Sequence, residues 1–321
     1  MSQYLPFVMQ QLFNRPHALS VGTADMIVAA LAGRLDIKSL ASETETLDRR
    51  ALEDLAAMGR ADAVSRDAKA SDRPGVARSW DEDDVPYRLT ETGVAIIPVK
   101  GVLKRSWGIG PFSGATGYDG IWTQMMHAYD NSNVRAIWFD INSGGGTVDG
   151  LFDLTDGIYQ MSARFGGKPI YAMCADAALS AAYAIASACD TIMVPRLGMA
   201  GSIGCVIMHC EFSKMLEEEG VNVSIIRSRD RKCRGSELEA IDQETLDEFQ
   251  AMVDESDAVF VDAVVKYRSS TKGAGATLTK NAISEMAGRV YTGNRALATG
   301  LVDYVMSEPE AWMMMERQIA A

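Results

Sequence analysis

The sequence predicts an α/β fold with a mostly parallel sheet, and three observations predict it. From Gly93 onward, short apolar runs of strand length alternate with longer stretches whose apolar residues recur at helical spacing. One run, residues 136–141, is apolar almost throughout, as expected of a strand whose two faces are both covered. Glycine follows two of the strand runs, at Gly101 and at Gly144, Gly145 and Gly146, where the chain must turn.

The elements follow in order. Residues 1–40 carry an apolar helical pattern around Met26, Ile27, Ala30 and Leu31, closed by Gly33, which predicts an N-terminal helical segment. Residues 41–90 are polar and charged, with an acidic run at 81–84, and read as a flexible linker. Residues 91–308 hold the α/β domain, and 309–321 read as a C-terminal tail. Within the domain, residues 94–99 predict a strand, 119–130 a helix and 136–141 the buried strand. Leu151, Leu154, Ile158, Met161 and Phe165 form one helical stripe. Residues 169–174 predict a strand, 180–188 a helix, and 191–194, 203–208 and 223–227 three further strands. Residues 243–268 predict a long amphipathic helix with Leu246, Phe249, Val253, Phe260 and Val264 on its apolar side.

Composition narrows the function. The chain has 321 residues, 47% of them apolar, enough for a sizeable core. Its net charge of -12 argues against nucleic acid or an anionic membrane as the main partner. No run reaches the roughly 18 apolar residues of a membrane span, and the first residues lack the pattern of a secretory signal. The five cysteines, at 174, 189, 205, 210 and 233, are odd in number and lie mostly in apolar stretches, which fits reduced thiols in a cytoplasmic setting. Cys205, His209 and Cys210 match no zinc spacing, and the sequence calls for no metal and no cofactor.

Two segments carry the chemistry. Asn142-Ser143-Gly144-Gly145-Gly146 reads as a buried strand breaking into a glycine turn. Backbone N–H groups at Gly144 and Gly145, with no side chain in the way, can approach a substrate carbonyl and act as an oxyanion hole. The same glycines also suit a plain tight turn. No Gly-Lys-Ser/Thr follows, so a phosphate loop is disfavoured. Ser180 opens a helix among Ala177, Ala178, Ala181 and Ala182, small neighbours that leave room for a substrate. It reads either as a nucleophile or as an ordinary N-cap serine. The context is not Gly-x-Ser-x-Gly, so an ordinary α/β-hydrolase is disfavoured. Of the three histidines, His17, His127 and His209, none has an orienting acid at a telling position. A Ser-Lys pair is the alternative, and it needs a lysine partly withdrawn from water. Lys232, in the basic stretch 227–232, is a candidate, with arginine neighbours that would help; a solvated surface lysine is the other reading. Ser202, in Gly201-Ser202-Ile203-Gly204, can orient such a lysine or simply form a turn.

Taken together, Asn142 to Gly146, Ser180-Ala181-Ala182-Tyr183 and Gly201-Ser202-Ile203-Gly204 resemble the three core motifs of the S49 peptidases. Gly288 to Gly293 and Ala296 to Asp303 resemble the family's C-terminal signature. Pro111 to Gly120 and Ala29 to Leu35 are similar to its phage capsid assembly branch. The resemblance runs from about residue 15 to about 306. It implies a ClpP/crotonase-like spiral of ββα units, Ser180 as nucleophile, Lys232 as general base and Ser202 as the residue that positions the lysine. It places the oxyanion hole at Gly144, Gly145 and the N–H of Ala181. Position 144 is glycine where many relatives have proline, and the stretch before Lys232 is unusually rich in arginine. The chain ends soon after the peptidase region, so fusion to a scaffold is not expected.

The resemblance further implies a homo-oligomer within the procapsid in the host cytoplasm, acting on scaffold, portal or capsid proteins or on itself. Residues 1–86 are expected to dock or to be removed during maturation. Three alternatives stay open: a cellular signal-peptide-peptidase-like enzyme, a crotonase-like acyl-CoA enzyme and a catalytically inactive head component.

Overall fold

The computed structural model describes residues 16–19, 40–41, 46–47, 85–108, 110, 114–269 and 278–320. The predicted helix of the N-terminal segment and most of the predicted linker lie outside these residues. The chain divides into two compact units. One comprises Ala18–Gly204 and Phe260–Ala321, the other Met1–His17 and Cys205–Val259.

The strands are β1 (His17–Leu19), β2 (Leu40–Ala41), β3 (Thr46–Leu47), β4 (Arg88–Leu89), β5 (Val94–Lys104), β6 (Ala115–Gly117), β7 (Ala136–Thr147), β8 (Ile170–Leu179), β9 (Thr191–Val194), β10 (Met199–Gly201), β11 (Val290–Thr292) and β12 (Tyr304–Val305). The helices are α1 (Tyr118–Asp130), α2 (Leu151–Gln160), α3 (Ala181–Ala188), α4 (Ser213–Glu218), α5 (Gln243–Ser269), α6 (Lys280–Met286), α7 (Gly293–Ala298) and α8 (Glu308–Ala320).

The larger unit is the predicted mixed α/β architecture with a mostly parallel sheet. Its spine runs β11-β10-β8-β7-β5-β4. The pairs β5–β7, β7–β8, β8–β10 and β8–β9 are parallel, whereas β4–β5 and β10–β11 are antiparallel. Strand β8 splits its pairing: residues 171–173 face β9, and 177–179 face β10. That split carries the end of β8 into a second direction, and Ser180 follows it.

Both sheet faces are covered, which is why these strands read as unbroken apolar runs. On one face Ile96, Trp138, Tyr171, Met173 and Met193 pack with Ala311 and Met315 of α8. The rings of Trp138 and Trp312 meet edge to face, with centroids 5.1 Å apart. Residues 309–321, predicted as a tail, are thus mostly helix α8, a cover for this core. On the other face α1 and α3 pack on β5 and β7.

Several expectations are corrected. The helix after β7 stops at Gln160, and Phe165 lies in a separate turn, 60% exposed, so it leaves the predicted stripe. The predicted strand at 223–227 is irregular, and the one at 203–208 contributes only a bridge at Val206. Apolar alternation makes a strand only where a partner offers a ladder, and among the described residues none does so at 223–227, where Ile226 is 98% exposed. The long helix forms as predicted, but Phe260 and Val264 are buried while Leu246 is exposed. Two short strands, β2 and β3, pair antiparallel at 40–41 and 46–47, one edge of the predicted linker.

Candidate active site

Ser180 stands where β8 ends and α3 begins. Its backbone has φ 54° and ψ -119°, a strained conformation for a residue with a side chain. The surroundings enforce it. The Ser180 N–H donates to the Gly201 carbonyl at 2.8 Å, and its own carbonyl accepts the Ala184 N–H at 3.0 Å. The hydroxyl does not cap the helix, so Ser180 lacks the bond that defines an N-cap serine. Its Oγ donates to the Gly204 carbonyl at 3.4 Å. Every residue of α3 is buried, and small side chains let the helix lie close to the sheet. The first amide of α3 belongs to Ala181, at the helix end where N–H groups have no partner within the helix.

The glycine segment differs from the predicted turn. Strand β7 continues through it to Thr147, with one extra residue relative to β5 between Asn142 and Gly145. Glycine is needed there for close approach. A Cβ on Gly146 would lie 1.9 Å from the Leu103 carbonyl oxygen. A Cβ on Gly145 would lie 2.1 Å from the Ala18 carbonyl oxygen and 3.0 Å from the Ser180 Cβ, and Gly145 has φ 106°. Gly145 and Ser180 are therefore neighbours, as the oxyanion reading requires. The Gly145 N–H donates to Ser143 Oγ at 3.1 Å, and that hydroxyl donates to the Gly101 carbonyl at 2.6 Å. Gly144 is half-buried on the same strand.

Ser202 shares the unusual backbone of Ser180, with φ 54°. It lies between the two carbonyls that Ser180 binds, Gly201 and Gly204, and its N–H donates to the Arg289 carbonyl at 3.0 Å. The structure thus groups Ser180, Ala181, Gly145 and Ser202 within the larger unit. Lys232 belongs to the other unit. It is exposed in a turn, its amide donating to the Arg229 carbonyl at 3.0 Å and its carbonyl accepting Arg227 Nε at 2.8 Å. Two of the three arginines in the stretch 227–232, Arg227 and Arg231, are themselves paired, as is Arg234 just beyond it. Arg227 meets Glu239, Arg231 meets Glu244 and Glu248, and Arg234 meets Asp230, Asp242 and Glu244. Their charge is spent on carboxylates, and the fold of this unit leaves the lysine in solvent.

Sequence reasoning missed the supports beneath α3. The Tyr183 hydroxyl donates to the Leu301 carbonyl at 2.8 Å. Arg268, wholly buried, forms a two-pronged pair with Asp303, at 2.6 Å and 3.1 Å. Asp303 also accepts the Ile192 N–H at 2.8 Å. The segment Ala296 to Asp303 was legible as a motif, and its physical content is this anchoring. Burial pushes the Cys174 thiol up to about 12, so the thiol nearest in sequence to Ser180 stays protonated and inert.

Residues 163–321 match the family model described as peptidase family S49. The chain belongs to peptidase family S49. It is 30% identical over 322 residues to the head-tail preconnector protein GP5 of Enterobacteria phage P21, covering 98% of this chain and 58% of that protein. It is 29% identical over 318 residues to the capsid assembly protease C of Escherichia phage lambda, covering 99% of this chain and 66% of that protein. The S49 chain therefore spans less than two thirds of the length of these two relatives. Among solved structures, an enoyl-CoA hydratase/isomerase family protein from Silicibacter pomeroyi is similar at a TM-score of 0.42 and 13% identity, covering 73% of this chain and 81% of that one.

Proposed function

We propose that this S49 chain is a serine endopeptidase with a Ser-Lys dyad that processes scaffold, portal or capsid proteins during phage head maturation. The observation that carries the reading is Ser180 itself. It is a serine held at positive φ, immediately before a buried helix, its hydroxyl not capping that helix, and set against Gly145. Strain kept at such a point is expected of a working residue. In the proposed reaction Ser180 Oγ attacks a peptide carbonyl. Lys232 takes the hydroxyl proton and returns it to the leaving amine, and Ser202 orients the lysine. The N–H groups of Ala181, Gly144 and Gly145 hold the oxyanion, with Gly145 first releasing Ser143.

The names of the two phage relatives, a head-tail preconnector protein and a capsid assembly protease, support head assembly as the setting, inside the procapsid in the host cytoplasm. Self-association fits Lys232, whose exposed side chain needs a covering surface to lose water. Neither nucleic acid nor membrane is part of the proposal. Among the described residues no helix is long and apolar enough to cross a membrane.

The test is mass spectrometry of co-expressed head proteins with wild type, Ser180→Ala and Lys232→Ala. Specific cleavage products are expected with wild type alone. If all three leave the same uncut proteins, the peptidase reading fails.

A further inference from the structure

Resting on the peptidase reading, we infer that strand β1 is a built-in substrate mimic that masks Ser180 in the free chain. Ala18, Gly145 and Ser180 belong to one unit. Strand β1 adds to β7, the strand that carries the glycines. Peptides commonly bind in this way, by extending an existing sheet with their backbone. The Ala18 side chain is fully buried, and the Ala18 carbonyl oxygen fills the space that the missing Cβ of Gly145 leaves open. A point there lies 2.1 Å from that oxygen and 3.0 Å from the Ser180 Cβ. A peptide to be cut must bring its own carbonyl to the same place, and two carbonyls cannot share it. His17, next to Ala18 in the chain, exchanges two backbone hydrogen bonds of 2.8 Å with Val206, an antiparallel bridge within the smaller unit that fixes the backbone leading into Ala18. The site is thus open only in the fraction of molecules whose β1 strap has left, and apparent activity falls by that fraction.

The experiment measures labelling of Ser180 by a fluorophosphonate, and turnover of a fluorogenic peptide, on the full chain. Wild type is compared with Ala18→Glu, Ala18→Gly and His17→Pro. Glutamate cannot stay in the buried Ala18 position, and proline removes the N–H that His17 donates to Val206. Both variants should label about ten-fold faster or more than wild type, while Ala18→Gly, which keeps the backbone pairing, stays near wild type. His17→Pro serves where Ala18→Glu lowers the melting temperature. Equal labelling of all four proteins overturns the strap and leaves the peptidase intact. No labelling of any of them rejects the nucleophile, and the strap with it.

Discussion

Ser180 and Lys232, the two halves of the proposed dyad, sit in regions built on opposite principles. Around Ser180 the chain is closed: residues 178–189 are all buried, and the bonds that fix the serine come from backbone carbonyls and a strained turn. Around Lys232 the chain is open: exposed turns, an irregular stretch at 222–226 and a mesh of arginines and carboxylates, most of the carboxylates exposed. The lesson is that the proposed nucleophile is held in place by packing within its unit, whereas the proposed base stands exposed in the other unit. Packing holds a group at a fixed place at the cost of strain, while solvated ion pairs hold little, because water competes for each charge.

Four changes would break or sharpen this contrast. The largest effect is chemical. Ser180→Ala should lower peptide hydrolysis by about a thousand-fold or more without lowering the melting temperature, which kinetic assays and thermal denaturation read together. Residual cleavage at the wild-type rate would remove Ser180 from the mechanism. Next comes the closed region's foundation. Arg268→Met leaves Asp303 buried without its cation, with an expected loss of about 3–5 kcal/mol in denaturant unfolding. A variant as stable as wild type would mean that α3 rests on other contacts. Gly146→Ala should cost about 1–3 kcal/mol, because its Cβ meets the Leu103 carbonyl in the body of the sheet. A neutral result would show that β5 and β7 can part there. Smallest is the open region's mesh: Arg231→Gln, at an exposed arginine, should leave the melting temperature unchanged within measurement scatter.

Thiol chemistry maps the same boundary without mutation. Cys233, next to Lys232, is exposed, whereas Cys174 and Cys189 are buried and their thiols are pushed up by burial, Cys174 to about 12. Iodoacetamide near pH 8 should alkylate Cys233 first and reach the other two only on unfolding, as peptide mass mapping would report. Early loss of Cys174 would place the open region on the wrong side of the line.

Much of this was legible in the residues, and the failures share one cause. Strands 136–141, 169–174 and 191–194 read correctly because a strand with both faces covered is apolar whatever its neighbours are. Residues 223–227 carry the same pattern and stay irregular, since a ladder also needs a partner. The glycines at 144–146 were read as a turn because sequence records the absence of a side chain and not what presses against it. Leu103 and Ala18 press there, and both are far away in the chain. Residues 309–321 looked like a tail because Ala311, Trp312 and Met315 gain meaning only from the sheet face they cover.

By itself the sequence determined the layered α/β class, the placing of Ser180 at a strand-to-helix junction and the family motifs. These depend on local periodicity and on residues close together in the chain. Tertiary structure alone decided that Ser180 is strained, that Gly145 lies against it, that the buried Arg268 pairs with Asp303 and that the Ala18 carbonyl lies against Gly145. Each of those is a contact across tens of residues, and no local propensity encodes which distant backbone will arrive.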